Sequence, residues 1–230
     1  GRSGKILGVS SAFEQPISVA LLLDASASMG YAMPSASKAA LAFARKILRP
    51  QDRCSVFSIQ TVPRREQALT SDETKIAAAL ASIQTAGETS IYDSLRSAIR
   101  DLAGESDRRA IVVLSDGGDT ASIATYDETL QLVRSAGIPI YVIAYNEVPE
   151  YAADRDRLSY LASETGGFLI SANAGDLERK YAEIEKDLRG QYAISYQITD
   201  ASKPNEWRDV KVRVKPRELT ARTISGYFAP

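Results

Sequence analysis

Two stretches of this chain are apolar without interruption, and they constrain the fold more than any other feature. Ile17-Ser18-Val19-Ala20-Leu21-Leu22-Leu23 has one small polar residue in seven, and Ala110-Ile111-Val112-Val113-Leu114 has none. A strand with one wet face would alternate; a run this continuous predicts a strand covered on both faces, as in a parallel sheet between helices. The residues between the runs supply such helices. From Ser35 to Leu48, Ala36, Ala40, Phe43, Ala44, Ile47 and Leu48 fall on one helical face, with Pro34 suited to a helix start. Cys54 to Ile59 reads as a second strand, and Glu66 to Leu69 as a short edge strand beside Pro63 and Arg64-Arg65. Thr70 with Glu73 and Thr125 with Glu128 have capping-box spacing. Further helices are expected from Ile91 to Leu102, Asp154 to Ser163 and Leu177 to Leu188, with strands at Ile138 to Ala144 and Gly167 to Ser171. Alternating strands and helices predict an α/β fold, a doubly wound, mostly parallel sheet flanked by helices.

After Arg189 the pattern changes to period two. Gln191 to Ile198, Asp209 to Lys215 and Arg222 to Phe228 read as an antiparallel β meander, with Pro204-Asn205 and Pro216 at its turns. In the middle strand Val210, Val212 and Val214 share one face; Lys211, Arg213 and Lys215 share the other, which reads as a solvated surface. Trp207, Tyr192 and Tyr196 are expected to pack this extension on the body. The expected organisation is therefore residues 1–16 with no assignable structure, a main domain over 17–189, and a C-terminal β extension over 190–230.

Composition narrows the chemistry. Hydrophobic residues are 44% and charged residues 25% of the 230, ordinary for a globular domain. A net charge of −1 offers no electrostatic case for nucleic acid. No apolar run reaches the roughly 20 residues that span a bilayer. The chain starts at Gly1 without an initiator Met, so an upstream segment is expected to have been removed or left out, and the start reports nothing on targeting. The single cysteine, Cys54, excludes an internal disulfide and reads as a small core residue. The chain has no histidine, which removes Ser-His-Asp and Cys-His catalysis and imidazole metal sites together.

Open α/β sheets bind ligands outside the carboxyl ends of their strands. Three polar clusters fall there: Asp24-Ala25-Ser26-Ala27-Ser28, Gly87-Glu88-Thr89-Ser90 and Ser115-Asp116-Gly117-Gly118-Asp119. An Asp ending a fully apolar strand is costly unless its charge is paired or bound to a metal. The donors on offer are hard oxygens, which suit Mg²⁺, Mn²⁺ or Ca²⁺ rather than a soft metal. Neutral hydroxyl ligands leave a cation underneutralised and able to attract an outside carboxylate.

Asp24, Ser26 and Ser28 match the Asp-x-Ser-x-Ser signature of von Willebrand factor type A domains, Thr89 matches that family's threonine, and Asp116 its second aspartate. Ile17 to about Leu188 thus resembles that family and its metal ion-dependent adhesion site. The resemblance implies Ser26, Ser28 and Thr89 hydroxyls on a cation, most simply Mg²⁺, with Asp24 and Asp116 acting directly or through water. It departs from the pattern at Ala27, where Gly is common. The tail, from Tyr192 through Trp207 to Tyr227, is similar to a bacterial VWFA-related family of extracytoplasmic proteins, which implies a place outside the cytoplasm. The expected function is a non-enzymatic binding module for a protein ligand presenting an Asp, a Glu or a terminal carboxylate. Two alternatives remain: a structural domain whose metal only ties loops together, and a metal-assisted phosphatase. The phosphatase lacks an acid/base two residues after Asp24, because Ser26 stands there.

Overall fold

The computed structural model describes residues 5–12, 14–146, 148–197, 205–215 and 218–229. The central sheet has six strands in the order β4-β3-β2-β5-β6-β7. They are β2 (Ile17–Asp24), β3 (Arg53–Ile59), β4 (Arg64–Thr70), β5 (Arg108–Ser115), β6 (Ile140–Tyr145) and β7 (Phe168–Ala172). All neighbours are parallel except β4, which returns antiparallel along β3 at the edge. The two wholly apolar runs are the adjacent central strands β2 and β5.

Alternation within β2 builds both layers. Val19, Leu21 and Leu23 join the core under α1 (Met33–Ile47), α2 (Glu73–Ser82) and α6 (Leu177–Arg189). Ala20 and Leu22 point the other way, into the core under α3 (Ile91–Leu102), α4 (Tyr126–Ala136) and α5 (Ala152–Glu164). Cys54 is buried on β3, where burial pushes its thiol up to about 12; it is a core residue. The Thr125–Glu128 capping box of α4 is formed as expected. The one expected at Thr70 and Glu73 is not: Asp72 caps α2, accepting from the N–H groups of Thr74 and Lys75. Thr70 Oγ1 instead accepts from Asp72 N–H.

The tail is antiparallel, but it is not one meander. β8 (Tyr192–Gln197) pairs with β1 (Lys5–Ser11), so the N-terminal segment has a strand that no local pattern announced. The two strands meet because α6 and β2 leave the body side by side. Ala12 N–H donates to Gln191 O at 2.9 Å, and Arg108 binds both Leu188 O and the Gln191 side chain. β9 is only Trp207–Asp209 and pairs with β10 (Gly226–Phe228). The expected strand to Lys215 is regular only to Asp209; Val210 N–H still donates to Ser225 O at 2.8 Å, and from there the opposing segment also binds the body. Ile224 bridges to Thr165, and Ser225 bonds Glu164 through both its N–H and its hydroxyl. Val210 and Val212 are still half-buried between exposed Lys211 and Arg213, whereas Val214 is exposed. Trp207 packs as expected, its ring 5.0 Å from Phe228 and under the Arg134 guanidinium of α4. Tyr192 and Tyr196 do not; they are 70% and 40% exposed on a two-stranded ribbon. Ile198, Pro204 and Pro216, expected as a strand end and turns, lie outside the described residues.

Candidate functional site

Parallel β2 and β5 end at the same level, so Asp24 and Ser115–Asp116 emerge beside each other at the carboxyl edge of the sheet. Asp24 is fully buried. Its Oδ1 accepts from Ser26 N–H at 2.9 Å and its Oδ2 from Ser115 Oγ at 2.6 Å. Burial pushes the carboxyl up to about 6, aided by the nearby Asp116 charge and opposed by the bonds from Ser115 and Ser26. The fold therefore holds, in its interior, a carboxylate that its own donors only partly stabilise.

Beside that carboxylate, three further residues bring oxygens together in a row that reaches the surface at Ser28. Ser26 Oγ and Ser28 Oγ lie 3.0 Å apart, and Ser28 Oγ donates to Asp116 Oδ2 at 2.7 Å. Ser26 and Asp116 are buried, whereas Ser28 is exposed. Thr89 is buried on the neighbouring loop, which lies against the first loop but bonds none of these oxygens through Thr89 itself. Ala27 N–H donates to Gly87 O at 3.1 Å, and Ala86 N–H to Ala25 O at 2.8 Å, locking the first loop against the second. Gly87 has φ 72°, and a Cβ there would stand 2.6 Å from Thr61 Oγ1, so glycine is required twice over. Thr120 and Ala121 N–H groups both donate to Thr89 O, closing the second loop on the third.

Several residues that organise this site have no motif to announce them. Ser115 stands between Asp24, to which it donates, and Gly117 N–H, from which it accepts at 3.1 Å. Asp119 is turned away from the group: it accepts from Tyr92 N–H and from Ser122, capping the start of α3. Asp93 reciprocates from α3, accepting from Ile123 and Ala124 N–H at 2.8 and 3.1 Å. Gly118 is in ring contact with Tyr151, whose edge a Cβ would strike at 2.7 Å. The only sequence hint of these roles is the density of Asp, Ser and Gly after β5.

The donor set fits a small hard cation. No cluster of three or more His, Cys, Asp or Glu side chains stands together among the described residues, so a cation here would rely on hydroxyls. Oxygens at right angles on Mg²⁺, each roughly 2.0–2.1 Å from it, are about 3 Å apart. The Ser26–Ser28 and Ser28–Asp116 separations of 3.0 and 2.7 Å are of that size. The same spacing suits hydrogen bonds, which hold the oxygens together without a cation.

Residues 19–118, which include all five site residues, match the family model for the von Willebrand factor type A domain. In fold the chain is similar to the vWF domain of the type V pili tip protein Mfa5 from Porphyromonas gingivalis. That pair is 13% identical with a TM-score of 0.67, over 76% of this chain and 95% of the other. A von Willebrand factor type A structure from Catenulispora acidiphila is 18% identical with a TM-score of 0.66, over 76% of this chain and 43% of that one. The open conformation of the pilus adhesin SpaC from Lactobacillus rhamnosus GG is 13% identical with a TM-score of 0.63, over 76% and 30%. This chain thus spans less than half of the last two. No match to a curated protein was found.

Proposed function

We propose, from the match of residues 19–118 to the family model for the von Willebrand factor type A domain, that this chain is a binding module that takes an acidic group of a partner protein through a divalent cation. Ser26, Ser28 and Thr89 hydroxyls would hold the cation, with Asp24 and Asp116 supplying negative charge directly or through water. Mg²⁺ suits the set best, and Mn²⁺ or Ca²⁺ shares its preference for oxygen. When bound, the cation supplies a positive charge that two carboxylates at most balance, so a partner's Asp, Glu or terminal carboxylate is favoured beside it.

The observation that carries this reading is the row of oxygens from buried Ser26 through exposed Ser28 to Asp116, beside buried Asp24, which Ser26 N–H binds. It leads from beside an underneutralised interior carboxylate to the solvent, where a ligand can arrive. A cation that only ties loops together is disfavoured, because protein bonds already join all three: Ser115 to Asp24, Ala27 to Gly87, and Thr120 to Thr89. Hydrolysis is disfavoured by chemistry. The sequence has no histidine, and Ser26 occupies the position from which a phosphatase aspartate would relay the proton. No helix among the described residues is long and apolar enough to cross a membrane. The pilus tip protein and pilus adhesin among the similar folds support a place outside the cytoplasm.

Immobilised peptides that differ only in Asp against Asn test the reading. The protein should be retained on the Asp peptides in millimolar Mg²⁺ and released by EDTA, and Thr89→Ala should weaken retention. Equal retention on both peptides, or retention indifferent to EDTA, would overturn it.

A further inference from the structure

Among the described residues of the α/β body, four large apolar side chains are strongly exposed: Tyr31 (104%), Val62 (70%), Ile123 (93%) and Tyr160 (45%). Tyr160 lies on α5, with its hydroxyl bonded by Arg134. The other three stand on loops at one end of the sheet, the end that carries Asp24, Thr89 and Asp116. Tyr31 follows the Ser26–Ser28 loop, Val62 is in the turn between β3 and β4, and Ile123 follows β5.

Each is held outward by anchored neighbours rather than left on a loose segment. Tyr31 sits between buried Met29 and buried Ala32, whose N–H donates to Met29 O at 2.9 Å. Val62 follows Thr61, whose hydroxyl accepts from Glu88 N–H beside Thr89. Ile123 N–H is fixed by Asp93, and the next residue, Ala124, is buried. A single exposed apolar residue needs no explanation, but three presented by anchored backbone on loops at the end of the sheet that carries one polar site are more than scatter.

We propose that Tyr31, Val62 and Ile123 form an apolar rim around the Asp24–Ser28–Asp116 group that selects partner segments in which the acidic residue is flanked by large apolar side chains. This rests on the binding reading above: a carboxylate reaching the central oxygens brings its sequence neighbours over the surrounding loops. There an apolar neighbour is desolvated against the rim, and a small polar one gains nothing. The rim adds selectivity that a cation alone lacks, since a cation treats every accessible carboxylate alike.

The test is a selection, in Mg²⁺, from a library of short peptides with a fixed central Asp and random flanks, followed by titration of chosen peptides. The wild-type protein should enrich Leu, Ile, Phe and Tyr beside the Asp. Ile123→Ser should weaken an enriched peptide about tenfold, and the combined Tyr31→Ser, Val62→Ser, Ile123→Ser protein by at least a hundredfold. A Mg²⁺-induced rise in melting temperature in each variant verifies that the central site is intact. Binding that requires Asp and Mg²⁺ but is indifferent to flanks, or unchanged in the triple variant, overturns the rim and leaves the binding module standing. Binding that needs neither Asp nor Mg²⁺ overturns both.

Discussion

Removing the Ser115 hydroxyl asks how much of the site's organisation rests on a residue outside the motif. Ser115 is fully buried; its Oγ donates to Asp24 Oδ2 at 2.6 Å and accepts from Gly117 N–H at 3.1 Å. Ser115→Ala deprives a buried carboxylate of one of its two donors and leaves a buried N–H without its acceptor. A hydrogen bond to a charged group contributes about 1.5–3 kcal/mol, and an orphaned donor costs about 1–3 kcal/mol. Partial relaxation makes the two less than additive, so a loss of about 2–4 kcal/mol is expected against a total of about 5–15 kcal/mol. Urea unfolding in EDTA, followed by circular dichroism, measures it. Mg²⁺ affinity should also fall by roughly 10–100-fold, as when other groups that orient metal ligands are removed. Ser55→Ala is the control: Ser55 is equally buried on β3, but its hydroxyl has no partner, so removing it should be neutral or stabilising. A Ser115→Ala loss below about 0.5 kcal/mol, or one matched by Ser55→Ala, refutes the role assigned to Ser115.

Three further outcomes follow from the geometry. Glu164 anchors the tail by accepting from Ser225 Oγ and Arg134 Nε; burial works to raise its pKa, but these bonds prevail and hold it below the ordinary 4.5. A depressed folded pKa means stability that is present above pH 4.5 and lost as pH falls through the lower folded value. Fluorescence of Trp207, the chain's single tryptophan, should report tail release in that acid window, and Glu164→Gln should remove the pH step; an unchanged step in that variant contradicts the anchor. Val212→Asp, placing a charge at a half-buried tail position, should cost about 1–2 kcal/mol, with Lys211→Glu within about 0.5 kcal/mol; similar losses from both would show the faces are misassigned. Gly167→Ala should disrupt the β6–β7 edge, since its Cβ would stand 1.9 Å from Ile140 O; a fully stable variant would refute that packing.

The body was legible because its signals are local. Ile17–Leu23 and Ala110–Leu114 announce buried strands by composition alone, and the periodic helices between them impose the doubly wound order. The first and third loops were legible because they follow the ends of β2 and β5, where a parallel sheet gathers its polar groups, and the second because its polar run opens α3. What joins those loops was not. Ser115 meets Asp24 across 91 residues through the register of β2 against β5, and Asp93 of α3 meets Ile123 across 30, partnerships that only the folded chain brings about. The tail misled for the same reason. Period-two alternation gave strand-like faces at Val210 and Val212, yet pairing is a property of two segments. β8 found its partner at Lys5–Ser11, while Ile224 and Ser225 were drawn to Thr165 and Glu164 on the body. At Thr70 the capping-box spacing competed with Asp72, whose carboxylate stands one residue before the helix and reaches two N–H groups.

Isothermal titration of Mg²⁺ into the EDTA-stripped protein tests the central claim most directly. One saturable site is predicted for the wild-type chain, lost in Asp24→Ala and in Asp116→Ala while circular dichroism shows both variants folded. A wild-type chain that shows no saturable Mg²⁺ binding, or variants that retain it undiminished, would contradict the account.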